Sequence, residues 1–304
     1  MPSPRPVLVL FGATGVGKTD SLRYLQEGLG TPIEVISADS MQVYRGMDIG
    51  TAKPSIQFRS ELPHHLIDIR NPDQQFTLGD FIGGCQDAVS DLHRRAILPV
   101  VSGGTAFYIK HLLFGMPEAP VSQPEVRGEL EEILSLRGLE YLRRELEAVD
   151  PVSAGRIGAG DAYRIIRALE VWRISGRPLS SFSREGRMRE DWRVLILGLE
   201  RPREELYARI NTRVEQMFQA GLEDEVAALV DRGYGPEDPG MRGIGYREFF
   251  AAESRAERIE LIQRNTRRYA KRQETFFRGL RQTHWNHPGT IKKMIPEIRS
   301  WYQG

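Results

Sequence analysis

The chain of 304 residues has a single cysteine, Cys85, which excludes an internal disulfide and any four-cysteine zinc site. No apolar run approaches the roughly 18 residues that cross a bilayer. An excess of charge of either sign is missing too: 42 Lys and Arg stand against 41 Asp and Glu, a net +1, so bulk charge does not decide about nucleic acid. Internal repeats and low-complexity stretches are lacking. Met1-Pro2-Ser3-Pro4-Arg5-Pro6 leads straight into an apolar segment, leaving no room for a signal peptide, so a cytoplasmic protein with no membrane association is expected. What remains is 40% hydrophobic and 27% charged, a globular composition long enough for two domains or one domain with a large insertion.

The most informative stretch is Gly12-Ala13-Thr14-Gly15-Val16-Gly17-Lys18-Thr19, a G-x-x-x-x-G-K-T string. It follows the apolar run Val7–Phe11 and precedes a segment of helical spacing from Lys18 to about Leu29. Strand, glycine loop and helix in that order make a phosphate cradle. The glycines let successive N–H groups turn inward, and the helix N-terminus adds positive potential. Lys18 supplies a point charge to terminal phosphate oxygens, and the Thr19 hydroxyl suits a bridging Mg²⁺. A diphosphate or triphosphate ligand is expected.

Further strands are expected at Ile33–Ser37, Leu66–Ile69, Ile97–Val101 and Arg193–Leu199, with a short one at His284-Trp285. Helices alternate with them at Leu78–Arg95 and Ala106–Phe114, whereas Met41–Pro63 reads as loop. This alternation predicts an α/β fold, a P-loop NTPase-like parallel sheet flanked by helices. From Glu125 to Ile174 the pattern is helical only, at Glu125–Leu136, Leu139–Val149 and Ala162–Ile174. The predicted division is therefore 1–117 plus 192–304 as the core and 118–191 as an all-α insertion domain. After Leu199 helices are expected at Arg203–Ala220, Leu222–Arg232, Gly245–Ala252, Arg255–Arg281 and Ile291–Tyr302, a helical C-terminal region.

Ligands of parallel sheets gather at the carboxyl ends of the strands, where Asp39 and Ser102-Gly103-Gly104-Thr105 fall. Asp39 either serves chemistry, holding Mg²⁺ through water or taking a proton, or merely caps a turn. Ser40, Met41 and Gln42 add groups that can hydrogen-bond and pack a flat heterocycle. Ser102-Gly103-Gly104-Thr105 is a second candidate loop, whose glycines allow close backbone approach beside the phosphate loop, or else Thr105 simply caps the next helix. Seven basic residues between Leu261 and Arg281 face one acid, Glu274, with Ile262, Tyr269, Phe276 and Leu280 assigned to the core side. Such a face is either solvated or suited to a phosphate backbone. Tyr163-Arg164-Ile165-Ile166-Arg167 and Arg242-Gly243-Ile244-Gly245-Tyr246-Arg247 repeat the theme. Adjacent His64 and His65 lack metal-ligand spacing, and structural roles are expected.

Taken together, the loop, Ser37–Tyr44, Met47–Pro54, His64–Asp68, Gly103–Thr105, Arg167–Val171, Gly243–Arg247 and Ala270–Gln273 resemble, in order, the signatures of bacterial tRNA dimethylallyltransferases, also called isopentenyl-diphosphate:tRNA isopentenyltransferases. The likeness spans nearly the whole chain. Ala13 departs from it, standing where many members carry proline, a backbone-level change. The resemblance implies transfer of a dimethylallyl group from dimethylallyl diphosphate to N6 of the adenosine 3′-adjacent to a tRNA anticodon, with Mg²⁺ assisting and diphosphate leaving. By matching position, Asp39 would accept the N6 proton, Thr105 would lie near the adenosine, and Ser40, Met41 and Gln42 would contact the flipped base. Arg209 and Arg213 would meet the diphosphate from the opposite side. Tyr163–Arg167 and Arg242–Arg247 would grip the anticodon stem-loop, and a monomer is expected. Two rival readings share the cradle: a P-loop small-molecule kinase using ATP, and a non-catalytic RNA-binding module switched by a nucleotide.

Overall fold

The computed structural model describes residues 4–115, 119–182, 188–280 and 282–304. Among them runs one six-stranded sheet, all parallel, in the order β3-β2-β4-β1-β5-β6. Its strands are β1 (Arg5–Gly12), β2 (Ile33–Ser37), β3 (His64–His65), β4 (Leu98–Gly103), β5 (Trp192–Leu199) and β6 (His284–Asn286). The inner strands are continuous apolar runs because helices cover both faces of a parallel sheet. Leu8 of β1, for example, lies between Val100 and Leu195. The helices in chain order are α1 (Lys18–Gly28), α2 (Ile56–Glu61), α3 (Leu78–Arg94), α4 (Ala106–Phe114), α5 (Pro124–Arg137), α6 (Leu139–Val149), α7 (Pro151–Arg156), α8 (Ala162–Ser175), α9 (Arg203–Gln219), α10 (Leu222–Asp231), α11 (Arg255–Phe277) and α12 (Ile291–Gln303).

The chain divides into two compact units, Met1–Leu113 with Arg189–Gly304, and Phe114–Met188. The first contains the sheet. Its core joins Leu8, Leu10, Leu25, Val35, Val100 and Leu197 to Ile291 and Ile298 of α12, which lies along α1. The second is a helical unit with its own core of Leu130, Leu142, Leu146, Ile165, Ile166 and Leu169. Asp150-Pro151 ends α6 as expected from its sequence and also starts α7. Asp150 accepts the Ser153 N–H at 2.9 Å, with proline at the first helical position.

Several expectations need correction. The third strand is His64–His65, not Leu66–Ile69, because Leu66 and Asp68 turn to φ 61° and 57° and cannot extend a ladder. The supposed loop 41–63 contains α2, N-capped by Ser55, whose hydroxyl accepts the Phe58 N–H. In place of a helix at Gly245–Ala252 there is one 3₁₀ turn, Arg247–Phe250. On α11, Phe276 is exposed, while Phe277 enters the core and stacks on Phe11 with centroids 4.3 Å apart. Pro117, the expected domain boundary, and Arg281, the expected end of the basic helix, lie outside the described residues.

β2 and β4 meet most tightly at their carboxyl ends. Ala38 N–H donates to Ser102 O and Thr105 N–H to Ala38 O, at 2.8 and 3.1 Å. A Cβ added to Gly103 would lie 2.0 Å from Ala38 O, a backbone atom that cannot swing aside. Gly103→Ala is therefore expected to destabilise the protein by roughly 2–4 kcal/mol, measured by urea unfolding.

Candidate active site

In the glycine loop the carbonyls of Gly12, Ala13, Gly15 and Val16 are taken up by cationic side chains. Lys18 Nζ donates to Gly12 O at 2.9 Å and to Ala13 O at 3.2 Å. Arg209 Nε donates to Gly15 O at 3.0 Å, and Arg201 Nε to Val16 O at 2.6 Å. Gly15 and Gly17 take φ values of 83° and 113°, the region open to glycine without strain. Among the described residues no acceptor takes the N–H groups of Gly15 or Gly17, and those of Lys18 and Thr19 open the first turn of α1. These N–H groups are free for an anion.

Besides Arg201, three cations influence one another at this loop: Lys18, Arg209 and Arg213. Burial pulls the Lys18 ammonium down to about 8; the Asp39 carboxylate opposes that fall and Arg213 adds to it. Arg213, half-buried one turn beyond Arg209 on α9, is itself lowered, first by burial and then by Arg209. A cluster of mutually repelling, partly desolvated cations is a site that an incoming polyanion relieves.

Opposite the loop stand the ends of β2 and β4. Asp39 Oδ1 accepts the Met41 N–H at 2.9 Å and the Gln42 N–H at 3.4 Å, so this carboxylate does cap a turn. It also lies near enough to Lys18 and the Tyr269 phenol to influence both. Thr105 Oγ1 accepts the Ser40 N–H at 3.0 Å and donates to Ser40 Oγ at 3.3 Å. Burial, with Asp39 second, pushes Tyr269 up to about 12, against hydrogen bonds with Thr105 and Gln273. Gln42 is engaged on both sides, its Oε1 by the Ser37 hydroxyl and its Nε2 by Thr51 O and Ala52 O.

Four residues given no site role from the sequence hold the site together. Gln273 on α11 accepts the Thr14 N–H at 2.9 Å and donates to Gly104 O at 2.7 Å, locking the phosphate loop to the end of β4. Arg201 holds Val16 as described. Glu225 on α10 accepts three successive N–H groups, from Asp48, Ile49 and Gly50, together with the Tyr246 hydroxyl at 2.7 Å. Glu248, buried, accepts the Gly245 N–H and the Asn265 side-chain amide. Only the position of Gln273 beside Lys271-Arg272 carried a signal.

The residues assigned to RNA split into two groups. In the helical unit Tyr163 is 66% exposed and Arg164 is exposed, whereas Ile165 and Ile166 fill its core and Arg167 binds Glu170 and Pro120 O. Ile165 and Ile166 thus cannot contact RNA as placed, since the inner face of α8 is committed to packing. In the loop Arg242 to Arg247, Arg242 is exposed and Arg247 half so, each paired with a glutamate. Tyr246 is fully buried, its hydroxyl on Glu225, and a Cβ at Gly50 would strike its ring. It is an interior residue, not a stacking one. Gly243 packs on Met41, where an added Cβ would meet Cε at 2.3 Å. His64 Nδ1 faces Leu62 O and His65 Nε2 lies 2.7 Å from Glu34 Oε2, the structural roles expected.

Among the described residues no cluster of three or more His, Cys, Asp or Glu could hold a metal. The exposed Thr19 hydroxyl instead fits the way Mg²⁺ is commonly held, by one or two protein oxygens shared with phosphate oxygens.

Sheet, loop and converging cations define a P-loop α/β protein whose glycine loop is an anion cradle near a strand-end carboxylate. Residues 42–280 match the model of the IPP transferase family, and the chain belongs to that family. It is 43% identical over 298 residues to tRNA dimethylallyltransferase 1 of Citrifermentans bemidjiense, covering 96% of this chain and 95% of that one. Among solved structures it is similar to the full-length tRNA isopentenylpyrophosphate transferase of Bacillus halodurans, with a TM-score of 0.71 and 34% identity, covering 99% and 97% of the two chains. A eukaryotic dimethylallyltransferase acting on tRNA gives 0.80 at 27% identity, covering 97% of this chain and 77% of that one.

Two substitutions test this geometry. Lys18→Met should weaken inorganic diphosphate binding roughly 10- to 100-fold by calorimetry, the loss of one charge-assisted contact. Glu225→Ala strips one acceptor from four donors, and urea unfolding should show a loss of about 2–4 kcal/mol.

Proposed function

We propose that this protein transfers the dimethylallyl group of dimethylallyl diphosphate to N6 of the adenosine 3′-adjacent to a tRNA anticodon. The observation that carries the reading is the facing of two opposed chemistries: an anion cradle with Lys18, Arg209 and Arg213 on one side, and Asp39 with Thr105 on the other. The named relatives and the tRNA-acting structural neighbour support it. A buried Cys85 thiol, pushed up to about 12 by burial, suits the reducing cytoplasm.

In this reaction the bond from the allylic carbon to the diphosphate oxygen breaks, and its electron pair leaves with the diphosphate. N6 forms the new bond to that carbon and loses one proton, which Asp39 accepts. Loop N–H groups, Lys18 and the two α9 arginines stabilise charge where it develops on the leaving group. Thr19 would hold Mg²⁺ against the same oxygens, and that ion supplies further charge neutralisation. The adenosine leaves its stack to reach Asp39, meeting Met41 and the Thr105 hydroxyl at the mouth. Arg164 and Tyr163, exposed on α8, and Arg242 on its loop contact the anticodon stem-loop from the protein surface.

The test is incubation with dimethylallyl diphosphate and unmodified tRNA, followed by nucleoside mass spectrometry. N6-prenylated adenosine is expected. Asp39→Ala should lower kcat by roughly 10²- to 10⁴-fold, the contribution of a positioned base, with tRNA affinity largely kept. Phosphate transfer from ATP to a small molecule, with tRNA left unprenylated, would defeat the proposal.

A further inference from the structure

Beside the site, α4 with the turn before it and α11 touch at two points. Gln273 of α11 donates to Gly104 O just before α4 begins, and one turn further along Phe276 meets Lys110, whose ammonium lies 5.6 Å from the ring centroid. Phe276 is 37% exposed. On α4 Phe107, two residues past Thr105, is 51% exposed and touches His111 edge to face at 4.4 Å. Toward the interior the same strip continues with Arg272, whose guanidinium is 5.8 Å from the Tyr269 ring. Two large aromatic rings left in solvent, interleaved with cations and starting at the reaction centre, are not explained by packing: Phe277, not Phe276, fills the core. Nor does the transfer chemistry need them.

The geometry points to Phe107, Lys110 and Phe276 as a stacking platform for an unpaired nucleobase adjoining the modified adenosine. The inference rests on the proposed RNA substrate and adds a subsite to it. Extracting one base from a stacked loop strips its neighbours of a stacking partner, and an exposed ring beside the exit replaces that partner. Lys110 places a positive charge where the strand's phosphates pass, which favours RNA over an apolar protein segment. Stacking on a ring face is tolerant of base identity, so the platform would bind and orient without reading sequence.

The test uses the full-length protein and an anticodon stem-loop RNA carrying 2-aminopurine next to the target adenosine. Binding to the unaltered protein should quench the fluorophore. Phe107→Ala/Phe276→Ala should abolish the quenching and raise KM for RNA about 10-fold, with kcat within about twofold and KM for dimethylallyl diphosphate unchanged. Phe107→Tyr/Phe276→Tyr, which keeps both flat rings, should restore both readouts. Should the double alanine variant fold poorly, Phe107→Ala alone carries the same comparison. Undiminished quenching and KM in the alanine variants overturn the platform, as does a change in oligomeric state with RNA binding intact, which marks a protein contact. The quenching assay needs no chemistry, so it judges the platform even if the unaltered protein prenylates nothing and the proposed function falls.

Discussion

A loop that gathers N–H groups around an anion must dispose of its carbonyl oxygens elsewhere, and the remainder of this protein is shaped by that constraint. Each peptide unit carries both a donor and an acceptor, and a buried acceptor without a partner is costly. Here the Gly12 and Ala13 carbonyls go to Lys18, Gly15 to Arg209 and Val16 to Arg201. Two of those three partners lie almost 200 residues further along the chain. The cradle is thus assembled by the end of β5 and by α9, and it could not hold its shape as an excised strand, loop and helix.

A second dependence of the same kind governs the opposite wall. Asp39 to Gln42 sit on a loop whose continuation, Met47 to Ala52, hangs from the single carboxylate of Glu225. Tyr246 braces that carboxylate and occupies the space above Gly50, while Gly243 admits Met41. Lys53, almost wholly buried, is neutralised by Asp48 and Asp68 and donates to Tyr44 O. Residues that look like binding motifs in the sequence are here the frame that keeps Asp39 and Met41 in place. Gln273 then ties the two walls, linking Thr14 to Gly104.

Legibility in the sequence followed the range of the interactions. The phosphate loop, the buried strands and the helical insertion were plain because their causes are local: glycine spacing, continuous apolar runs and a 3.6-residue period. The strand at His64–His65 was misplaced by two residues because apolar Leu66–Ile69 looked extended, and nothing local announces the left-handed turns at Leu66 and Asp68. The helix α2 hid behind prolines and a single Ser55 cap. Phe276 and Phe277 are indistinguishable in composition, and only the position of Phe11 decides which ring is buried. Glu225 and Arg201 act through backbone groups 175 to 185 residues away, so spacing gives no cue to them, while Glu248 joins the nearby Gly245 N–H to the Asn265 side chain. Tyr246 was assigned outward because aromatics near arginines often serve RNA, but a phenol with a buried carboxylate partner is held inside.

The two walls also divide the electrostatic labour of the proposed transfer. Lys18, Arg209 and Arg213 repel one another, and burial weakens the first and last as cations. In the proposed transfer a diphosphate would offset both effects at once. Asp39 supports the Lys18 charge, and among the described residues it does so without a direct ion pair. A direct pair would have neutralised both groups and left neither for substrate. Kept apart, the carboxylate stays available for an amine proton and the ammonium for a departing oxyanion. Because parallel strands bring all their carboxyl ends to one edge, both groups arrive there from separate strands, at a separation fixed by the hydrogen-bonded register of β1, β4 and β2. In the proposed transfer, that register would set the span between the leaving oxygen and the accepting nitrogen.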